Sequence, residues 1–115
     1  MGLEDFSAGR WGELSHICIP ITTTDTNYEL LAAIEGQRIK ILRMMLSGDT
    51  LAIYNFFSGA EPLFSFYGAI HFGCDEQASD ASIPAFITNV GDNFNLIVST
   101  AVTANLYLQY QYGEV

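Results

Sequence analysis

Apolar and polar positions alternate with a period of two along most of this chain, in runs too short for helices, so the pattern predicts β-strands. In 15–23, SHICIPITT, the residues Ile17, Ile19 and Ile21 fall on one face and His16, Cys18 and Pro20 on the other. Pro20 has no N–H to give a ladder, which places this strand at a sheet edge or a bulge. Near the C-terminus, Phe94, Leu96 and Val98 point inward against Asn95, Ile97 and Ser99. In 105–112, Leu106, Leu108, Tyr110 and Tyr112 point inward, with Asn105, Tyr107, Gln109 and Gln111 outward. The segment 28–35, YELLAAIE, is built from helix formers and sets Leu30 four residues before Ile34, yet its alternation fits a strand equally well. Gly36 closes it early, and we read a strand.

The stretch 37–57, QRIKILRMMLSGDTLAIYNFF, holds two apolar runs around Ser47-Gly48-Asp49-Thr50. A Gly at the first central position of a two-residue loop predicts a central β-hairpin. Its register would set Arg43 opposite Tyr54 and Ile41 opposite Phe56. Ile39, Ile41, Tyr54 and Phe56 would then share one face, and Leu42, Met44, Leu46, Leu51 and Ile53 the other. A ribbon apolar on both faces needs either a second cover, such as another subunit, or a bulge at Leu42-Arg43 that switches its phase.

Further on, 58–62 is a connector, 63–72 predicts two short strands broken at Gly68, and the acidic stretch 73–82 predicts an exposed loop. Pro84 marks 83–88 as a short edge strand, and 89–93, NVGDN, is a turn. Short strands every eight to twelve residues describe an all-β fold, an antiparallel β-sandwich or jelly roll. One domain over 15–115 follows an aperiodic N-terminal arm, 1–14, in which Phe6 and Trp11 are candidate anchors on a neighbouring subunit.

Composition narrows the partners. Thirteen acidic residues against four basic ones give a net charge of −9, which repels nucleic acid and anionic membrane surfaces. No apolar run approaches the roughly twenty residues that span a bilayer. Glu4 and Asp5 stand where a secretory signal carries basic residues, predicting synthesis in the cytoplasm with Cys18 and Cys74 kept as small buried thiols.

Candidate chemistry is sparse. His16 with Cys18 and His71 with Cys74 supply a two-His, two-Cys zinc set on paper, but nothing in the sequence brings the pairs together. A Cys74–His71 dyad would sit beside Asp75 and Glu76, which oppose thiolate formation. Asp75, Glu76 and Asp80 lie in one acidic stretch instead of on facing strands. The expectation is a non-enzyme with no metal or cofactor. Tyr107, Gln109 and Gln111 form an outward polar-aromatic row suited to a sugar ring or to a subunit contact, and Arg43 and Tyr54 are a second candidate contact.

Three stretches carry a resemblance: Gly36-Gln37-Arg38-Ile39-Lys40-Ile41-Leu42, then Gly91-Asp92-Asn93-Phe94-Asn95-Leu96-Ile97-Val98-Ser99, and Tyr110-Gln111-Tyr112-Gly113-Glu114-Val115. With them, 28–115 resembles a group of small bacteriophage structural proteins of β-sandwich fold. The resemblance implies a virion protein, most simply a capsid decoration or cement protein that binds the major capsid protein on the outer capsid as a homotrimer. The alternative it leaves open is a tail or fibre knob, or a carbohydrate-binding module for host polysaccharide.

Overall fold

The computed structural model describes residues 11–23, 27–48, 50–68, 72–77 and 85–114, with the backbone alone at 22, 23, 27 and 72–77. The strands among them are β1 (Ser15–Thr23), β2 (Asn27–Leu31), β3 (Arg38–Gly48), β4 (Ala52–Ser58), β5 (Glu61–Gly68), β6 (Phe72–Gln77), β7 (Phe86–Ile87), β8 (Phe94–Val98) and β9 (Val102–Gly113). Sheet A has the order β1-β9-β3-β6, with β7 also on β3, and sheet B the order β2-β8-β4-β5. All pairings are antiparallel. Most successive strands lie in opposite sheets, with β4 and β5 paired directly and β6 and β7 both in sheet A, an arrangement of jelly-roll type. The predicted fold class is the one found, and β2 forms where helix formers competed. Pro20 sits on β1, an edge strand.

The central hairpin is not formed. β3 pairs with β9, β6 and β7 in sheet A, whereas β4 pairs with β5 and β8 in sheet B. The turn signal at Ser47-Gly48 therefore marks a crossing between layers. Ile39, Ile41, Met44 and Leu46 line the core from sheet A, and Ala52, Tyr54 and Phe56 line it from sheet B. They meet across the sandwich, not side by side. The hairpin that does form is β4–β5, through Gly59 at φ 55°, where a Cβ would stand 3.0 Å from the Asp92 carboxylate. Ser58 supports this turn by donating to Asp92 at 2.9 Å and accepting the Asn89 N–H at 2.9 Å.

The bulge is real. The β3–β9 register shifts between Ile41 and Arg43, so buried positions change from odd to even numbers along β3. That shift removes the need for a second subunit over Met44 and Leu46, both fully buried. Leu51 and Ile53, which fell on the same predicted face, are exposed instead. A second correction concerns 73–82: its first half, through Gln77, belongs to β6 and pairs with β3. Its antiparallel pairing with β3 outweighs the low strand propensity of Asp75 and Glu76. The remainder, 78–82, lies outside the described residues.

Every crossing occurs at one of two ends. Gly48, Ala52, Gly68, Phe72, Val98 and Val102 lie at one end, which we call the crossover end. At the other, Leu31, Arg38, Ser58, Glu61, Phe94 and Gly113 terminate their strands, and we call it the terminal end. This polarity matters for the surfaces.

Candidate interaction surfaces

Antiparallel register fixes which side chains share the outer face of sheet A. One row runs Cys18–Tyr107–Met45, and the next, toward the terminal end, runs His16–Gln109–Arg43. Met45 is 40% exposed, Cys18 and His16 are exposed, and Tyr107, Gln109 and Arg43 are half-buried. The His16 and Tyr107 rings lie 6.1 Å apart. Further along the same face come Lys40 and Gln111, then Arg38, whose Nε donates to the Thr88 carbonyl at 2.7 Å. Of the four basic residues in the chain, three therefore lie on β3.

The terminal end of this face is closed by the chain's own N-terminal segment. Trp11 forms an antiparallel bridge to Gly113, Gly12 N–H donates to the Tyr112 carbonyl at 2.7 Å, and the Gln111 amide donates to the Gly12 carbonyl at 3.1 Å. Trp11 is 8% exposed and its ring centre lies 4.6 Å from Lys40 Nζ. A cation against a ring face is attracted by the ring quadrupole, which offsets part of the cost of burying Lys40. Loss of hydration still pushes the Lys40 ammonium below its ordinary pKa.

Tyr112 answers on the inner side of β9. Its hydroxyl donates to the Ala32 carbonyl at 2.6 Å, tying β9 to the loop after β2. Burial first, then Tyr110 and the Glu29 carboxylate, push its phenol above the ordinary value of 10.0. A raised folded pKa means that this contribution is whole below pH about 10 and is lost as pH rises through the folded value. Tyr112→Phe is expected to cost about 0.5–1 kcal/mol at neutral pH and to abolish that alkaline decline, as urea titrations at pH 8 and pH 11 will show.

Sheet B presents a different outer face. Ile53 pairs with Tyr67 at the crossover end, beside Leu51, and the three are 39%, 64% and 50% exposed. Asn55 accepts from Ser65 at 2.6 Å in the adjoining row, where Ile97 is half-buried. Toward the terminal end stand Asn95 and the exposed Glu29, whose carboxylate accepts from Asn93 at 2.8 Å. Glu61 sits at the rim, accepting from Asn89 at 2.6 Å. No Arg or Lys belongs to the strands of this sheet.

The candidate contact residues are thus scattered. Tyr107, Gln109 and Gln111 do point outward together, although Gln111 is engaged by Gly12, which shortens the sugar platform. Arg43 lies beside them. Tyr54 is a correction: it is fully buried in the core, because β4 joins sheet B, so it cannot form a subunit contact with Arg43. Trp11 packs on its own chain, and Phe6 lies outside the described residues. Sequence reasoning overlooked Lys40 and Tyr67. The signal for Lys40 was a lone cation between Ile39 and Ile41; nothing marked Tyr67 apart from its place in an alternating strand.

Topology also separates the cysteines. β1 and β6 lie three strand spacings apart, about 14 Å, whereas a disulfide requires Cα atoms within about 7 Å. Cys18 and Cys74 therefore do not pair within one chain and cannot share one metal ion, while His71 lies outside the described residues. Cys18 is a free thiol and, contrary to expectation, exposed, since it falls on the outward face of an edge strand. Among the described residues no group of three or more His, Cys, Asp or Glu is placed to hold a metal ion.

No family model matches this chain, and no curated protein matches it. Among solved structures it is similar to a protein of the Bacillus endospore appendages, a family of disulfide-linked pili, with 16% identity and a TM-score of 0.57 over 90% of this chain and 88% of that one. A virus-like particle of the extra small virus of the giant freshwater prawn Macrobrachium rosenbergii matches with 7% identity and a TM-score of 0.47, over 90% and 79% of the two chains. The appendage match shows a shared fold.

Proposed function

We propose that this chain is a non-enzymatic structural subunit that works by associating with copies of itself in a larger particle. One observation carries the reading: Ile53 and Tyr67 pair on the outer face of sheet B, with Leu51 immediately before β4, and all three are exposed. Contiguous exposed apolar side chains on a framework of paired strands mark an association surface. The resemblance of 28–115 to small bacteriophage structural proteins supports a decoration protein, bound as a homotrimer to the major capsid protein on the outer capsid. Avidity among copies would then multiply weak contacts. The fold shared with an appendage pilin favours a second reading, a fibre subunit.

Native mass measurement across a concentration series separates these. The decoration reading expects a closed trimer that labels purified capsids at high copy number. An open distribution of sizes that lengthens with concentration supports the fibre. A monomer at every concentration overturns both.

A further inference from the structure

We infer that β1 is a self-association edge: the β1 strands of two copies pair antiparallel about a two-fold axis at Ile17, continuing sheet A from one copy into the next. This rests on the proposal that the chain self-associates, and it names a surface separate from the sheet B cluster. The direction of the backbone groups along β1 follows from β9. Tyr112 turns its carbonyl toward the N-terminal segment, where it accepts from Gly12, and backbone groups alternate sides along a strand, so Tyr110, Leu108 and Leu106 face β1 as well. Their partners Ser15, Ile17 and Ile19 direct their own backbone groups at β9. His16 and Cys18 therefore aim N–H and C=O at the open edge of β1, with which no strand pairs among the described residues. Pro20 faces the same way, where its missing N–H costs the β9 ladder nothing.

Three observations select a second copy as the occupant. First, the edge is complementary to itself. With His16 of each copy opposite Cys18 of the other, every N–H between them meets a C=O. An axis at Cys18 would set His16 against Pro20, which has no donor, and an axis at His16 would set Cys18 against Leu14, outside the strand. Second, the Ile17 axis brings the two Ile17 side chains together. Ile17 belongs to the inward-facing row yet is 37% exposed, whereas Ile21 in the same row is fully buried, so sheet B leaves this end of β1 uncovered. Third, charge permits the approach. Copies of a −9 chain repel, and charged residues ordinarily guard sheet edges against pairing. Among the strands that end the two sheet orders, β2 contains Glu29, β5 Glu61 and β6 Asp75 with Glu76, while β1 contains no acidic residue. A two-fold contact closes on itself, so alternating it with the sheet B cluster is what would propagate a fibre.

Cysteine crosslinking of the full chain tests it. In a Cys18→Ser, Cys74→Ser background, Ile17→Cys sets two thiols opposite one another with Cα atoms about 4.5 Å apart, within disulfide range, whereas Ser15→Cys leaves them more than about 13 Å apart. Mild oxidation is expected to give a covalent dimer of the first on a non-reducing gel and to leave the second monomeric. Cys18→Pro in place of Cys18→Ser removes an edge N–H without touching the β9 ladder. It is expected to slow crosslinking through Ile17→Cys at least about tenfold, since the two-fold contact loses that bond twice. Near-UV circular dichroism establishes that each variant folds, and the two cysteine positions decide by themselves if the proline variant does not. If wild type associates and Ile17→Cys gives no covalent dimer, or Ser15→Cys crosslinks as readily, or a folded proline variant crosslinks undiminished, the inference fails and the proposed function stands. A closed trimer also overturns it, because a three-fold ring contains no two-fold axis, and spares the decoration reading. A wild type that is monomeric at every concentration sinks both.

Discussion

Phe56→Ala is expected to lower the unfolding free energy by about 3–5 kcal/mol, the range for deleting a buried aromatic. Phe56 is 1% exposed at the centre of β4, stacked on Phe94 with ring centres 5.8 Å apart and tilted against Phe64 at 6.2 Å. Phe94 belongs to β8 and Phe64 to β5, so one ring joins three strands of sheet B. Neighbouring strands are held at fixed spacing by their ladders and cannot close over the hole, which places the cost high in the range. Domain stabilities are about 5–15 kcal/mol in all, so this single change removes a large share. Urea unfolding followed by tryptophan fluorescence will measure it. A loss below about 1 kcal/mol would mean that sheet B does not pack on this ring.

Much of this core was legible because alternation reports burial directly. β8 and β9 emerged with the predicted inward sets, and β1 emerged with its edge position forecast by Pro20. What period-two patterning cannot encode is which strands become neighbours. Ser47-Gly48-Asp49-Thr50 satisfies the local needs of a hairpin and of a crossing between layers equally, and the choice is made by β9, whose pairing with β3 joins residues 56 to 75 positions apart. The double-faced apolar pattern of 37–57 was the clue: a phase switch inside β3, with β4 facing it across the core, produces the same residue sequence as a ribbon covered twice. Burial of Lys40 was invisible for a related reason. Its cover comes from Trp11, outside the predicted domain, and no local pattern links the two. The outer faces were half legible, since Tyr107 and Gln109 were placed outward correctly, whereas the partition of charge between sheets depends on sheet membership that the sequence does not state.

Trp11→Ala is expected to cost roughly 2–4 kcal/mol, somewhat below a central aromatic because one edge of the ring meets solvent. The loss combines two effects. The apolar area between Trp11 and β9 returns to water, and Lys40, fully buried beside the ring, exchanges a cation–π contact for hydration. Rehydration should raise the Lys40 pKa toward its ordinary value, a change that lysine side-chain NMR reads separately from stability. Removing residues 1–10 keeps Trp11, Gly12 and their bonds to β9, so this truncation isolates whatever Phe6 and its neighbours contribute to binding a particle. Removing 1–13 does not, because it also takes away the Lys40 cover. The expected contrast is a truncated 1–10 variant that melts near the wild type and loses particle binding, against a Trp11→Ala variant that melts well below it. Equal melting of Trp11→Ala and wild type would return Trp11 to the arm and make it, with Phe6, available to a partner.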